Sequence, residues 1–175
     1  SGNWTSMRDY LEGLAASLPQ KPRAILLVSA HWESEGGFAF TGAPQPDLVF
    51  DYYGFPPYTY ELTYPSPGDP ALAAQAAALL QGAGIGAQID PARGLDHGVF
   101  VPMKVAFPDA HIPIVEMSVE RSLDPALHLA AGRALAPLLD DNVLIIGSGM
   151  SFHNMRAYGD PRATEPSHAF NDWLT

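Results

Sequence analysis

The sequence predicts an α/β fold, with a mostly parallel central sheet flanked by helices on both faces. Two observations carry this. Short apolar runs that read as buried strands alternate along the chain with longer segments of helical periodicity. The run Ala24-Ile25-Leu26-Leu27-Val28 is unbroken, as expected of a strand covered on both faces.

Residues 1–19 carry apolar side chains at helical spacing, namely Trp4, Met7, Leu11, Leu14, Ala15 and Leu18, and Pro19 and Pro22 end that helix. The central strand follows and runs into Ser29-Ala30-His31-Trp32. Gly36-Gly37 marks a turn, and Phe38-Ala39-Phe40 reads as a second strand. Between residues 50 and 60 lie four tyrosines and two phenylalanines, an aromatic loop suited either to packing on itself or to framing an aromatic ligand. Asp69 is placed to cap a helix that starts at Pro70 and stops at Gly82 and Gly84. A short strand is expected over residues 85–89, then the tight Gly94–Gly98 loop with His97, then a helix over 99–107. Ile112–Ser118 reads as another buried strand, residues 125–139 as a helix opened by Asp124 and Pro125, and Asn142–Gly147 as a further strand. The last expected helix starts at a Ser167 cap.

Length and composition fit one domain over 1–175. At 175 residues, 47% hydrophobic and 16% charged, the chain can bury a sizeable core and is not disordered throughout. A net charge of −10 argues against a nucleic-acid backbone as partner. No apolar run reaches the roughly 18 residues of a membrane span. With no cysteine there is no disulfide, thiolate metal site or cysteine nucleophile, and a cytoplasmic location is the default expectation. No G-x-S-x-G elbow, phosphate loop or dinucleotide fingerprint occurs.

Six histidines fall into two groups. His31, His97 and His153 each follow an expected strand in a loop bearing glycine or serine, so a parallel sheet would bring all three to its carboxyl rim. His111 precedes a strand, His128 lies within a helix and His168 opens the last helix; surface or packing roles are expected for these. Clustered imidazoles bind metals and move protons near neutral pH. Residue chemistry alone leaves a metal site and an acid/base site both open, with a core histidine as the plain alternative for His31.

Several stretches together resemble the DODA-type extradiol ring-opening dioxygenases of the class III, LigB-like superfamily. They are Ser29-Ala30-His31-Trp32, Asp51-Tyr52-Tyr53-Gly54-Phe55-Pro56, Leu62-Thr63-Tyr64-Pro65-x-Pro67-Gly68, Gly94-Leu95-Asp96-His97-Gly98, Ile112-Pro113-Ile114-Val115 and Gly147-Ser148-Gly149-x-x-x-His153-Asn154. They stand in the family's order and cover nearly the whole chain. The resemblance implies a non-haem metal enzyme that opens a catechol-type ring with O2, the partners being a small aromatic diol and O2. It implies Fe(II), with Zn(II) as the alternative ion. His31 matches a metal ligand, His97 the acid/base histidine, and His153 a histidine on the substrate and oxygen side of the pocket. Tyr53 and Phe55 would help to frame the ring. It also implies a further ligand in a His-Gly segment ahead of the first helix and another beyond residue 175, so 1–175 is expected to be the inner part of the family's domain. A metal-dependent hydrolase and a metal-free binding protein are the alternatives on the same fold. Oligomeric state is left open, a homo-oligomer included.

Overall fold

The computed structural model describes residues 4–157 and 159–174. Of the segment expected to hold the first helix, residues 1–3 lie outside the described residues. The elements run α1 (Thr5–Ser17), β1 (Ala24–Ser34), β2 (Phe38–Thr41), β3 (Leu48–Val49), α2 (Pro70–Gly82), β4 (Ala87–Asp90), β5 (Leu95–Asp96), α3 (His97–Ala106), β6 (Ile114–Glu120), α4 (Pro125–Leu135), α5 (Pro137–Asp140), β7 (Val143–Ser148) and α6 (Thr164–Leu174). No helix among them is long and apolar enough to cross a membrane.

Five strands form the main sheet in the order β4-β2-β6-β1-β7. β1 lies between β6 and β7 and pairs with both in parallel, whereas β2 meets β6 antiparallel through Phe40 and Met117. A separate two-stranded ladder joins β3 to β5.

The apolar run of β1 is unbroken because both of its faces are covered. Leu26 packs with Phe38, Phe40, Leu72, Leu80 and Leu138 on one side of the sheet. Ile25 and Leu27 pack with Val99, Phe100, Met103 and Ile114 on the other. Thus α2 and α4 cover one face, while α3, with α1 outside it, covers the other. Burying a side chain of this size is worth about 1.5–3 kcal/mol, so the two layers fix the sheet firmly beneath its rim.

Local chemistry sets most boundaries as expected. The Asp69 side chain accepts from Leu72 N at 2.9 Å, and the Asp124 side chain from Ala126 N at 3.0 Å, each ahead of a proline in the first turn. The ends of α3, β4, β6 and β7 shift by one or two residues, and three elements differ further. The helix expected over 125–139 is broken into α4 and α5 at Pro137, whose ring and missing N–H cannot continue it. The last helix starts at Thr164, after a turn over Pro161–Ala163 in which Asp160 accepts from Arg162 N; Ser167 is inside the helix and not its cap. β1 runs on to Ser34, with a register shift against β6 between Val28 and Glu33, so His31 lies within an irregular strand and not beyond it.

Candidate active site at the carboxyl end of the central strand

The shift in β1 is what presents His31. Ser29 is fully buried, and its Oγ accepts from His31 N at 3.2 Å. This local bond bends the backbone out of the ladder. His31 and its neighbour Ala30 are exposed where a regular strand would bury one of them.

His97 arrives by a different route. It does not follow a strand of the main sheet, as expected, but the two-residue β5 of the small ladder, and it is the first residue of α3. β3 pairs Leu48 with Leu95 and Val49 with Asp96. Continuing the two chains in that register carries Asp51, just past β3, to the side of His97, just past β5. Asp51 Oδ1 accepts from His97 N at 3.1 Å and lies 2.6 Å from His97 Nδ1. Its other oxygen lies 3.9 Å from His31 Nδ1. The two imidazole centroids are 4.0 Å apart.

Burial pulls the Asp51 carboxyl upward, but the hydrogen bonds and charge of His97 outweigh it and leave Asp51 below the usual carboxylate range. An ionised carboxylate only accepts, so a proton sits on Nδ1 of His97, and in the neutral imidazole the lone pair is then on Nε2. Burial, and next the charge of His97, hold the His31 imidazole below its ordinary value, which favours the neutral form that binds metals.

Donor atoms of His31, Asp51 and His97 lie within 4.8 Å of one another. The His31 imidazole and the Asp51 carboxylate, with a second imidazole beside them, are donors suited to a divalent first-row cation such as Fe(II) or Zn(II). By donor chemistry the residues fit such an ion. Asp51, already bonded to His97, can serve as a ligand itself or as the outer carboxylate that orients an imidazole.

His153 follows β7 and is outside that group, though its charge is felt at His31. With Phe55, Phe152, Asn154 and His168 it lines a broad cleft of about 1000 Å³. Phe55 is half-exposed at the edge of this cleft, whereas Tyr53 is 91% exposed and points into solvent. The ring that touches the site is Tyr52, edge-on to His97 at 5.5 Å, steadied by its hydroxyl donating to Thr59 O and by contacts with Phe50 and Tyr60. His111 lines a separate hollow of about 360 Å³ near the end of α1, and His128 packs edge-on to Phe38, so both are away from the site as expected. His168 is exposed, at the surface as expected, and lines the same cleft as His153.

The sequence motifs include Asp51 and Tyr52 without marking either as a site residue, and nothing in the sequence draws His168 towards the cleft. For Asp51 a signal existed: it is the acid that opens the aromatic run.

Comparison with known proteins places this arrangement in a class. The model of the catalytic LigB subunit of aromatic ring-opening dioxygenase matches residues 3–174, and the chain belongs to that family. The dioxygenase tasH of Hapsidospora irregularis is 56% identical over 140 residues, covering 79% of this chain and 43% of that protein. The 4,5-DOPA dioxygenase extradiol of Beta vulgaris is 41% identical over 160 residues, covering 89% and 59%. The protein of the same name from Escherichia coli (strain K12) is 38% identical over 165 residues, covering 92% and 59%. The crystal structure of uncharacterized protein JW3007 from Escherichia coli K12 superposes with a TM-score of 0.69 at 34% identity, covering 86% of this chain and 55% of that one. The chain thus spans about half the length of the relatives it matches.

Proposed function

We propose that this chain carries part of an extradiol dioxygenase that inserts O2 into a catechol-type substrate and opens its ring. The observation that carries the reading is the His31–Asp51–His97 group at the end of β1, beside an aromatic loop and a broad cleft. Fe(II) is the ion proposed, with Zn(II) the alternative, and His31 and Asp51 are the residues here that would hold it. Bound there, Fe(II) supplies the electron-transfer chemistry by which O2 and a catecholate combine.

The protein's own groups handle protons and orientation. His97 Nε2 takes the proton from a catechol hydroxyl, while Asp51 holds Nδ1–H and stabilises the imidazolium that forms. The same proton is then available to an oxygen of the opening ring. His153 donates a hydrogen bond to oxygen on the cleft side. Tyr52 and Phe55 flank the substrate ring and exclude water from it, and Tyr53 stands at the rim.

The test is to load the protein with Fe(II) and offer a panel of catechols under O2. A yellow ring-opened semialdehyde acid is expected from at least one. No such product from any catechol overturns the reading; turnover that survives strict anaerobiosis overturns it in favour of a metal-dependent hydrolase.

A further inference from the structure

Behind the two imidazoles lies a set of polar side chains that the proposed reaction does not touch. Glu116 sits in the middle of β6 between Val115 and Met117, with no exposed surface. A leucine or methionine would cost less to bury there. The one backbone N–H that its carboxylate accepts, at 2.9 Å to Oε2, is that of Asp96, the residue before His97.

Asp96 is equally buried and is the hub. Its carboxylate accepts from Ser29 Oγ at 2.8 and 3.0 Å, from Gly98 N at 2.9 Å and from Arg93 Nη2 at 3.2 Å. Ser29 Oγ in turn accepts from His31 N. Each link therefore ends on the backbone of a site histidine or of its neighbour: Ser29 on the His31 side, Asp96 and Gly98 on the His97 side.

The charges are also arranged around this hub. Arg93 lies 3.2 Å from Asp96 and 3.8 Å from Glu116, with its guanidinium 5.0 Å above the Trp32 ring. One cation thus faces two acids in a buried space. Burial, and next the contact with Asp96, push Glu116 up to about 9, so near neutrality it holds its proton and leaves Arg93 paired with Asp96. A neutral Glu116 still accepts the Asp96 N–H, and that bond needs no charge.

We propose that Glu116 is a positioning residue, fixing Asp96 from the central strand and, through Asp96 and Ser29, the placement of the His31 and His97 imidazoles relative to each other. The proposal rests on the reading that these two imidazoles are the working groups of the site. It assigns Glu116, Asp96, Ser29 and Arg93 no contact with substrate.

Histidine-selective ¹H–¹⁵N spectra of the metal-free protein test it, without catechol or O2. The probes are the His31 and His97 ring signals and the low-field proton shared by His97 and Asp51. Glu116→Gln retains an acceptor for Asp96 N and is expected to keep wild-type ring signals. Glu116→Leu keeps the volume and loses the acceptor; both rings' signals are expected to move and the low-field proton to broaden or disappear. A folded Glu116→Leu protein with wild-type ring signals overturns the proposal, as does an equal change in both variants. If Glu116→Leu does not fold, Ser29→Ala decides, because it cuts the link between Asp96 and His31: displaced signals support the proposal and unchanged signals overturn it. A failure to open catechols leaves these spectra untouched, so the two readings stand or fall separately.

Discussion

Asp51 faces both site histidines, with one carboxylate oxygen 2.6 Å from His97 Nδ1 and the other 3.9 Å from His31 Nδ1. A single acid therefore orients the proposed base and lies within reach of the proposed ligand. If His97 acts through Nε2, neutralising Asp51 removes both the tautomer control and the stabilised imidazolium.

Asp51→Asn is accordingly expected to lower kcat by about 10²–10⁴-fold, the usual range for loss of acid/base assistance, with the fold retained. Steady-state kinetics on the Fe(II)-loaded variant, alongside its circular dichroism, check this. A kcat within a few-fold of the wild type would remove Asp51 from the mechanism.

His31 is expected to govern metal retention. Even an outer-shell partner of a metal is worth about 10–100-fold in affinity, so His31→Ala should weaken Fe(II) or Co(II) binding by ~100-fold or more. Calorimetric titration measures this directly. Undiminished affinity would place the ion elsewhere.

Gly98 sits where three site elements meet. A Cβ there would lie 2.6 Å from Ser29 Oγ, 3.0 Å from Asp96 Oδ1 and 3.2 Å from His31 Cδ2. Gly98→Ala gains up to about 1 kcal/mol of helix propensity in α3, but crowds the buried, mutually hydrogen-bonded Ser29 and Asp96 and the His31 ring. A net loss of about 1–3 kcal/mol is expected, the range for overpacking, together with displaced His31 ring signals. Urea unfolding and the same ¹H–¹⁵N spectra provide the measurements.

The buried acid makes stability depend on pH. Glu116 is raised from 4.5 to about 9 in the folded state. Between those values the folded protein holds a proton that the unfolded chain has released. The contribution of Glu116 is therefore fully present below about pH 4.5 and is lost progressively as pH rises towards 9. Glu116→Gln cannot ionise, so its stability relative to the wild type should grow across that window. Urea midpoints at several pH values test the sign; a constant difference would mean that Glu116 does not hold its proton in the fold.

The parts legible in the sequence were those with local physical signatures. The continuous run of β1 marks a strand covered on both faces, and Asp69-Pro70 and Asp124-Pro125 mark helix starts through capping chemistry. What escaped depends on long-range pairing. The β3–β5 ladder is two residues long on each side, too short for any periodicity, yet its register brings Asp51 to His97. The bulge in β1 was equally hidden, because it shows only in the register of β1 against the distant β6. Glu116 did leave a trace, as an acid between the apolar Val115 and Met117.

The proposed reaction is the opening of an aromatic ring by dioxygen at the His31–Asp51–His97 group. Mass spectrometry of the product formed from a catechol under ¹⁸O2 by the Fe(II)-loaded protein tests it most directly. A ring-opened acid carrying oxygen from ¹⁸O2 is expected, and its loss in His31→Ala. An unlabelled product, or an equal yield of labelled product from His31→Ala, would contradict it.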